Sequence, residues 1–277
     1  GGTAGVLEIM AMYPTDLVKT NQQLSAKPVG MLQSFHGVVL GQGVRGLYRG
    51  IATPILAEAP KRAWKFGANN EFKRLIASVS PDGKVSMIGG AAAGSLAGIS
   101  EAVINCPFET IKVRMQAVEN LARFSSSSEC LKMLVKEEGV AALYLGLGPQ
   151  MWRNGLWNGM YFGAIGVAAQ KFPLPQGSTK GDRLLHKFVT GVVGSMLGTL
   201  ANTPFDVVKS RMQQQVAPKS GEQLKYRNTF QSLRLIAKEE GTNALYKGLV
   251  PRLVRLGPGG GIMIVAFDFV SDLLRDF

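Results

Sequence analysis

Three acids and three bases recur in this chain at one spacing. Asp16 and Lys19, Glu109 and Lys112, and Asp206 and Lys209 follow Pro14, Pro107 and Pro204 in the pattern P-x-[DE]-x-x-[KR]. By composition alone that pattern would arise about 0.1 times, so three copies mark a triplicated architecture. An acid and a base three residues apart share roughly one helix face. Repeated around a threefold axis, they predict a ring of ion pairs whose chemistry is the making and breaking of salt bridges. Four residues past each base stands a glutamine: Gln23, Gln116 and Gln213. An amide can donate to a carboxylate and accept from an ammonium, so each glutamine is expected to brace a pair.

A second set of charges follows a second set of prolines, Pro54, Pro149 and Pro251. Four residues on are Glu58, Arg153 and Arg255. These repeat-equivalent positions are expected to face one another across the repeat axis. Two guanidinium groups on one axis suit a small dicarboxylate anion, because each binds a carboxylate bidentately. Asn154 is placed to hydrogen-bond a 2-oxo group or a carboxylate. Arg62, one turn from Glu58, reads as a third cation, and Lys65, a turn further, as a relay for the anion. Lys61 is less clearly directed at the cavity. Glu8 and Glu101 each stand six residues before a signature proline, where the third repeat has Gly198. They are expected either to pair with Arg62 and Lys65 or to form helix–helix salt bridges.

These groups need helices to hold them. Each repeat opens with small residues four apart, as at Gly90, Gly94 and Gly98, which lets a neighbouring helix approach closely. The signature proline is expected to bend that helix. Short amphipathic segments follow near 31–40, 128–137 and 226–238. Each ends in a glycine turn at Gly43, Gly139 or Gly241 and an aromatic–x–Gly triplet closing at Gly50, Gly146 or Gly248. Amides at such a helix start can seat a phosphate, so these glycines read either as a lipid-headgroup site or as a plain helix junction. A second long helix then begins. The sum is six long helices and three short ones.

Composition narrows the class. The 277 residues carry a net charge of +12, and the mean hydropathy is +0.10. No stretch offers about 20 uninterrupted apolar residues. Segments 85–104 and 188–208 are nonetheless rich in Gly, Ala, Met, Val and Leu, and charges within them are tolerable if they face a water-filled cavity. The positive charge suits such a cavity or a surface against anionic lipid; no nucleic-acid signature accompanies it. Cys106, Cys130, His36 and His186 have no metal-ligand spacing, so neither a metal nor a disulfide framework is expected. No nucleophile–base pair suggests an enzyme. The first residues already read as helical, so the chain is expected to begin inside its first helix.

The three signatures, each followed by a glycine turn and an aromatic–x–Gly, resemble the mitochondrial carrier family along the whole chain. The resemblance implies an all-α membrane protein with six transmembrane helices plus three short matrix helices in threefold pseudosymmetric repeats, 1–80, 81–173 and 174–277. Such a protein works as a monomer by alternating access in the mitochondrial inner membrane. It needs no cofactor, with cardiolipin allowed as a structural lipid near Gly50, Gly146 and Gly248. The signature acids and bases become a matrix gate that pairs each repeat's acid with a neighbour's base. Departures from the pattern are Asn21 where later repeats have Arg114 and Arg211, and Gln42 where they have Glu138 and Glu240. Leu145 replaces the base present as Arg49 and Lys247, which is expected to weaken lipid binding there. A second, cytoplasmic gate is ragged: Glu71 with Arg74, Asp268 with Ser271, and no charge in repeat two. A weaker cytoplasmic than matrix gate is therefore expected.

Within the family, an arginine followed by a small polar residue, here Arg153-Asn154, goes with keto-acid and dicarboxylate carriers. The runs KRAWKF, NCPFETIKVRMQ and MWRNGLWNGMYFG resemble members that carry 2-oxodicarboxylates. The implied function is exchange of 2-oxoadipate and 2-oxoglutarate. The alternatives are a tricarboxylate (citrate) or simple dicarboxylate carrier and, more remotely, a non-transporting receptor or scaffold.

Overall fold

The computed structural model describes residues 2–25, 29–80, 85–172, 179–216 and 224–255. Repeat one supplies α1 (Gly2–Leu24), α2 (Met31–Gly46) and α3 (Ala52–Val79). Repeat two supplies α4 (Met87–Gln116), α5 (Ser127–Glu137) and α6 (Leu147–Lys171). Repeat three supplies α7 (Lys180–Gln214), α8 (Thr229–Glu240) and a helical segment at 249–255, called α9. The expected long–short–long order holds in repeats one and two; in repeat three the described residues give a long helix, a short one and a helical segment at 249–255.

Local chemistry sets several boundaries. Ser86, Ser126 and Asn228 cap α4, α5 and α8, their side-chain oxygens accepting from the amides of Gly89, Glu129 and Gln231. Thr179 and Asp182 cap α7 reciprocally. The signature prolines lie inside α1, α4 and α7 without ending them. Pro54, Pro149 and Pro251 all fall in the first turn of their helices, where the missing N–H would have no intrahelical partner anyway. In repeat one the glycine turn is a break within α2, at Gly43 with φ 69°.

Packing runs α3 along α4, α4 along α6, and α6 along α7, with α1 meeting both α3 and α7. Compact apolar clusters sit under the short helices at the signature ends, such as Ile111, Met115, Phe124, Cys130 and Leu134. Elsewhere the polarity is inverted. Arg114, Asp206, Lys209 and Gln23 are buried, whereas Leu56, Phe66, Ile88, Leu185 and Phe188 are exposed. Among the described residues, one helix, Gly181–Gln214, is long and apolar enough to cross a bilayer on hydropathy alone. In the other long helices charged residues such as Glu58, Glu101 and Arg114 are buried.

Candidate functional site

The signature charges close into a ring. Lys112 Nζ lies 3.1 Å from Asp16 Oδ2, Lys209 pairs with Glu109, and Lys19 pairs with Asp206. Each acid thus meets the base of the next repeat, the third repeat returning to the first. Around Asp206 the ring is braced: Gln23 Nε2 donates to its Oδ2 at 3.1 Å, and Ser210 Oγ donates to Gln23 Oε1 at 2.8 Å.

Arginines from the second helices reach down onto these acids. Arg153 Nη1 lies 3.3 Å from Asp206 Oδ1 and 3.7 Å from Glu109 Oε1. Arg252 Nη1 lies 3.5 Å from Asp206 Oδ2 and donates to Thr203 Oγ1 at 3.2 Å. Arg255 pairs with Asp16 and, at 3.1 Å, with Glu8. Two networks result. Lys112, Arg255, Asp16 and Glu8 balance one another. Lys19, Lys209, Arg153 and Arg252 surround only Asp206 and Glu109, an excess of two positive charges.

Three cavities adjoin these networks. The largest, about 700 Å³, lies between α3 and α4 and is lined by Glu58, Lys61, Arg62, Lys65, Lys73 and Glu101 among others. The next, about 260 Å³, shares Lys65 and Glu101 and adds Arg153, Asn154, Asn202 and Arg252. The third, about 330 Å³, shares Arg153 and Arg252 and reaches Arg255, Glu8, Asp16 and Lys19. Shared walls make them a connected, mostly cationic series that ends on the ion-pair ring.

The seams between repeats are closed by cations on helix C-terminal carbonyls, where the dipole is negative. Arg49 of repeat one donates to Met115 O and Leu121 O of repeat two, both at 2.8 Å. Arg114 of repeat two donates to Gln213 O of repeat three at 2.6 Å and binds Glu138 through two bonds. Arg211 and Lys247 of repeat three reach Gln23 O at 3.1 Å and Ser25 O at 2.7 Å of repeat one. Hydrogen bonds from Arg211 first, and then from Lys247, hold the Glu240 carboxyl down at about 2.

The sequence profile of the mitochondrial carrier proteins matches residues 1–80, 83–173 and 180–277. The chain belongs to the mitochondrial carrier family. Among similar carriers is a probable mitochondrial 2-oxodicarboxylate carrier of Dictyostelium discoideum, 44% identical over 99% of this chain and 89% of that one. Mitochondrial 2-oxodicarboxylate carrier 2 of Saccharomyces cerevisiae is 41% identical over 100% of this chain and 92% of that one. Mitochondrial citrate transporter D of Aspergillus niger is 38% identical over 100% of this chain and 93% of that one.

In this carrier several expected roles shift. Glu58 lines a different cavity from Arg255, because Lys61 at 2.6 Å and Arg62 pair with it on its own helix. Lys61 is thus a cavity residue. Asn154 is anchored: its Nδ2 donates to Gly98 O at 2.7 Å, and its Oδ1 accepts from Arg153 Nε and Nη2 at 3.1 and 2.9 Å. It orients Arg153 instead of presenting a free amide. Glu101 does lie 3.7 Å from Lys65, but Glu8 pairs with Arg255, since α1 closes the ring beside α9.

Two braces are absent. Gln213 Nε2 approaches only Cys106 Sγ, at 3.9 Å, and Gln116 makes no hydrogen bond to the Lys112–Asp16 pair. The hydroxyl that steadies Gln23 explains the difference. The repeat-equivalents of Ser210 are Val113, which has none, and Thr20, which donates to Asp16 O at 2.9 Å. Glu71 and Arg74 pair with each other along α3, exposed, at 2.8 Å, so they bridge no two repeats here. Asp268 lies outside the described residues.

Gly50, Gly146 and Gly248 have φ of 80°, 83° and 79°, and a Cβ at each would meet the signature helix of the next repeat. Arg49 and Lys247, the bases of two of these triplets, donate to carbonyls of the neighbouring repeat. Arg252 and Asn202, which belong to no repeated motif, also line the cavity beside Arg153. A signal existed for Arg252: the position after each second proline reads Ile55, Gln150, Arg252.

Proposed function

We propose that this chain is a six-helix antiporter of the mitochondrial inner membrane that exchanges 2-oxodicarboxylates, 2-oxoadipate and 2-oxoglutarate, by alternating access. The three short helices lie on the matrix side, and the ring of signature ion pairs is the matrix gate, closed in this conformation. Glu71 and Arg74, paired along one helix, fit a cytoplasmic gate that is open. One observation carries the reading: the Asp206–Glu109 network holds an excess of two positive charges and includes Arg153. A dianion neutralises it.

Arg153 binds one carboxylate of the incoming dianion. In doing so it leaves Asp206 and Glu109, and the gate loses one of the cations that hold its acids. Arg255 stands in the same relation to Asp16 and becomes a substrate contact as that pair opens. A ligand shifts a two-state equilibrium only by its differential affinity for the two states. Substrate carboxylates that compete with gate carboxylates for the same guanidinium groups supply that difference.

The carrier acts as a monomer. A cavity of about 270 Å³ between the starts of α2 and α9, lined by Gly30, Met31 and Gly248, is suited to a cardiolipin phosphate.

Citrate is the second reading, favoured by the likeness to citrate transporter D of Aspergillus niger. Its third charge exceeds the excess in the network. Competition against uptake of labelled 2-oxoglutarate in proteoliposomes separates the two: 2-oxoadipate should inhibit strongly and citrate weakly. Citrate inhibiting at lower concentration than 2-oxoadipate would refute the assignment.

A further inference from the structure

The cavity of about 260 Å³ is lined by a residue that no part of the gate uses. Asn202, on α7 two residues before the signature proline, is only 2% exposed. Its Oδ1 is buried without a hydrogen-bond partner. Leaving a buried amide group unpaired is unfavourable by about 1–3 kcal/mol. Asn202 nevertheless lines the same cavity as Arg153, Asn154 and Arg252. Rotation of the terminal amide exchanges Oδ1 with Nδ2, so either a donor or an acceptor can be presented there. Asn154, by contrast, is anchored at both ends.

The charges around this cavity are also uneven. Arg252 belongs to the network with two surplus positive charges and reaches its acid only at 3.5 Å. Arg255 belongs to the balanced network and does not line this cavity. Lys65, the remaining cation of the lining, faces Glu101 at 3.7 Å, so in the matrix-closed state the second surplus cation beside a bound dianion is Arg252.

We propose that Asn202 and Arg252 form a subsite for the 2-oxo acid end of the substrate. Asn202 Nδ2 donates to the 2-oxo oxygen, Arg252 binds the adjacent carboxylate, and Arg153 takes the distal carboxylate. This inference rests on the reading that the chain carries 2-oxodicarboxylates. It adds the residue that tells an oxo acid from the plain dicarboxylate of the same length.

The test compares 2-oxoadipate with adipate as inhibitors of labelled 2-oxoglutarate exchange in proteoliposomes. The unmodified carrier should prefer 2-oxoadipate. Asn202→Ala should lose that preference by about tenfold, the worth of one hydrogen bond, while adipate inhibition stays within about twofold. Arg252→Gln should weaken both inhibitors equally, raising KM for 2-oxoglutarate about tenfold or more; Arg252→Lys should recover part of it. If Asn202→Ala does not fold, Asn202→Ser, which shortens the side chain beyond reach, carries the same prediction. An unchanged 2-oxoadipate-to-adipate ratio in the folded variant overturns the role of Asn202. Arg252→Gln that lowers maximal rate with KM unchanged overturns a binding role for Arg252 and makes it a gate partner only. Failure of the unmodified carrier to exchange 2-oxoglutarate at all would instead remove the functional reading, and this inference with it.

Discussion

Gln23, Gln116 and Gln213 occupy one position of the repeat, yet only Gln23 hydrogen-bonds a gate carboxylate. The difference lies one residue away in space, in Ser210 against Val113 and Thr20. A hydrogen bond to a charged group contributes about 1.5–3 kcal/mol. Gln23→Ala should therefore lower the thermal stability of the detergent-solubilised carrier more than Gln116→Ala or Gln213→Ala. Equal losses in all three would show that the amides act by packing alone. The repeated acids and bases were legible because a threefold pattern repeats residue types. Whether a brace forms depends on a hydroxyl outside the motif, and no spacing rule reports it. Asn202 was hidden for a related reason: its significance is a buried amide with one end unpaired beside a cavity, which exists only once the helix is packed.

The first long helix of each repeat, α1, α4 and α7, ends on carbonyls held by cations from the preceding repeat. The departures Asn21 and Leu145, which looked like defects, fall in different seams. Repeat one lacks the arginine at Asn21 but has Arg49; repeat two lacks the base at Leu145 but has Arg114; repeat three has both Arg211 and Lys247. Every seam keeps at least one cation. Arg114→Ala removes both bonds to Glu138 and the donor on Gln213 O, and should lower the unfolding temperature. Lys247→Ala should lower it less, because Arg211 still caps α1; thermal unfolding of the two variants ranks them. Glu240 adds a pH signature. Its carboxyl sits at about 2 against a usual 4.5. A depressed value means its stabilisation is complete above about pH 4.5 and fades as pH falls toward 2. Glu240→Gln should flatten that part of the acid-unfolding curve, and an unchanged curve would deny the pair any weight. The helices themselves were legible from small residues, caps and prolines. The destinations of Arg49 and Lys247 were not, since a base beside a helix start serves a lipid phosphate or a neighbour's carbonyl equally well.

On the scale of the whole molecule, the connected cavities, the surplus charge around Asp206 and the closed ring form one device. Arg153 shares Asp206 and Glu109 with the signature lysines, so on the proposed reading cargo and gate acids compete for one guanidinium. Arg153→Ala should then abolish exchange while leaving the ring's three cross-repeat pairs, and hence the fold, in place. Arg153→Lys should restore little, because an ammonium cannot bind two carboxylates in fork geometry. The most direct measurement is uptake of labelled 2-oxoglutarate into proteoliposomes preloaded with 2-oxoadipate, citrate or nothing, with Arg153→Ala alongside. The account predicts rapid uptake against 2-oxoadipate, little against citrate or an empty lumen, and none in the variant. Uptake driven by citrate but not by 2-oxoadipate, or undiminished in Arg153→Ala, would contradict it.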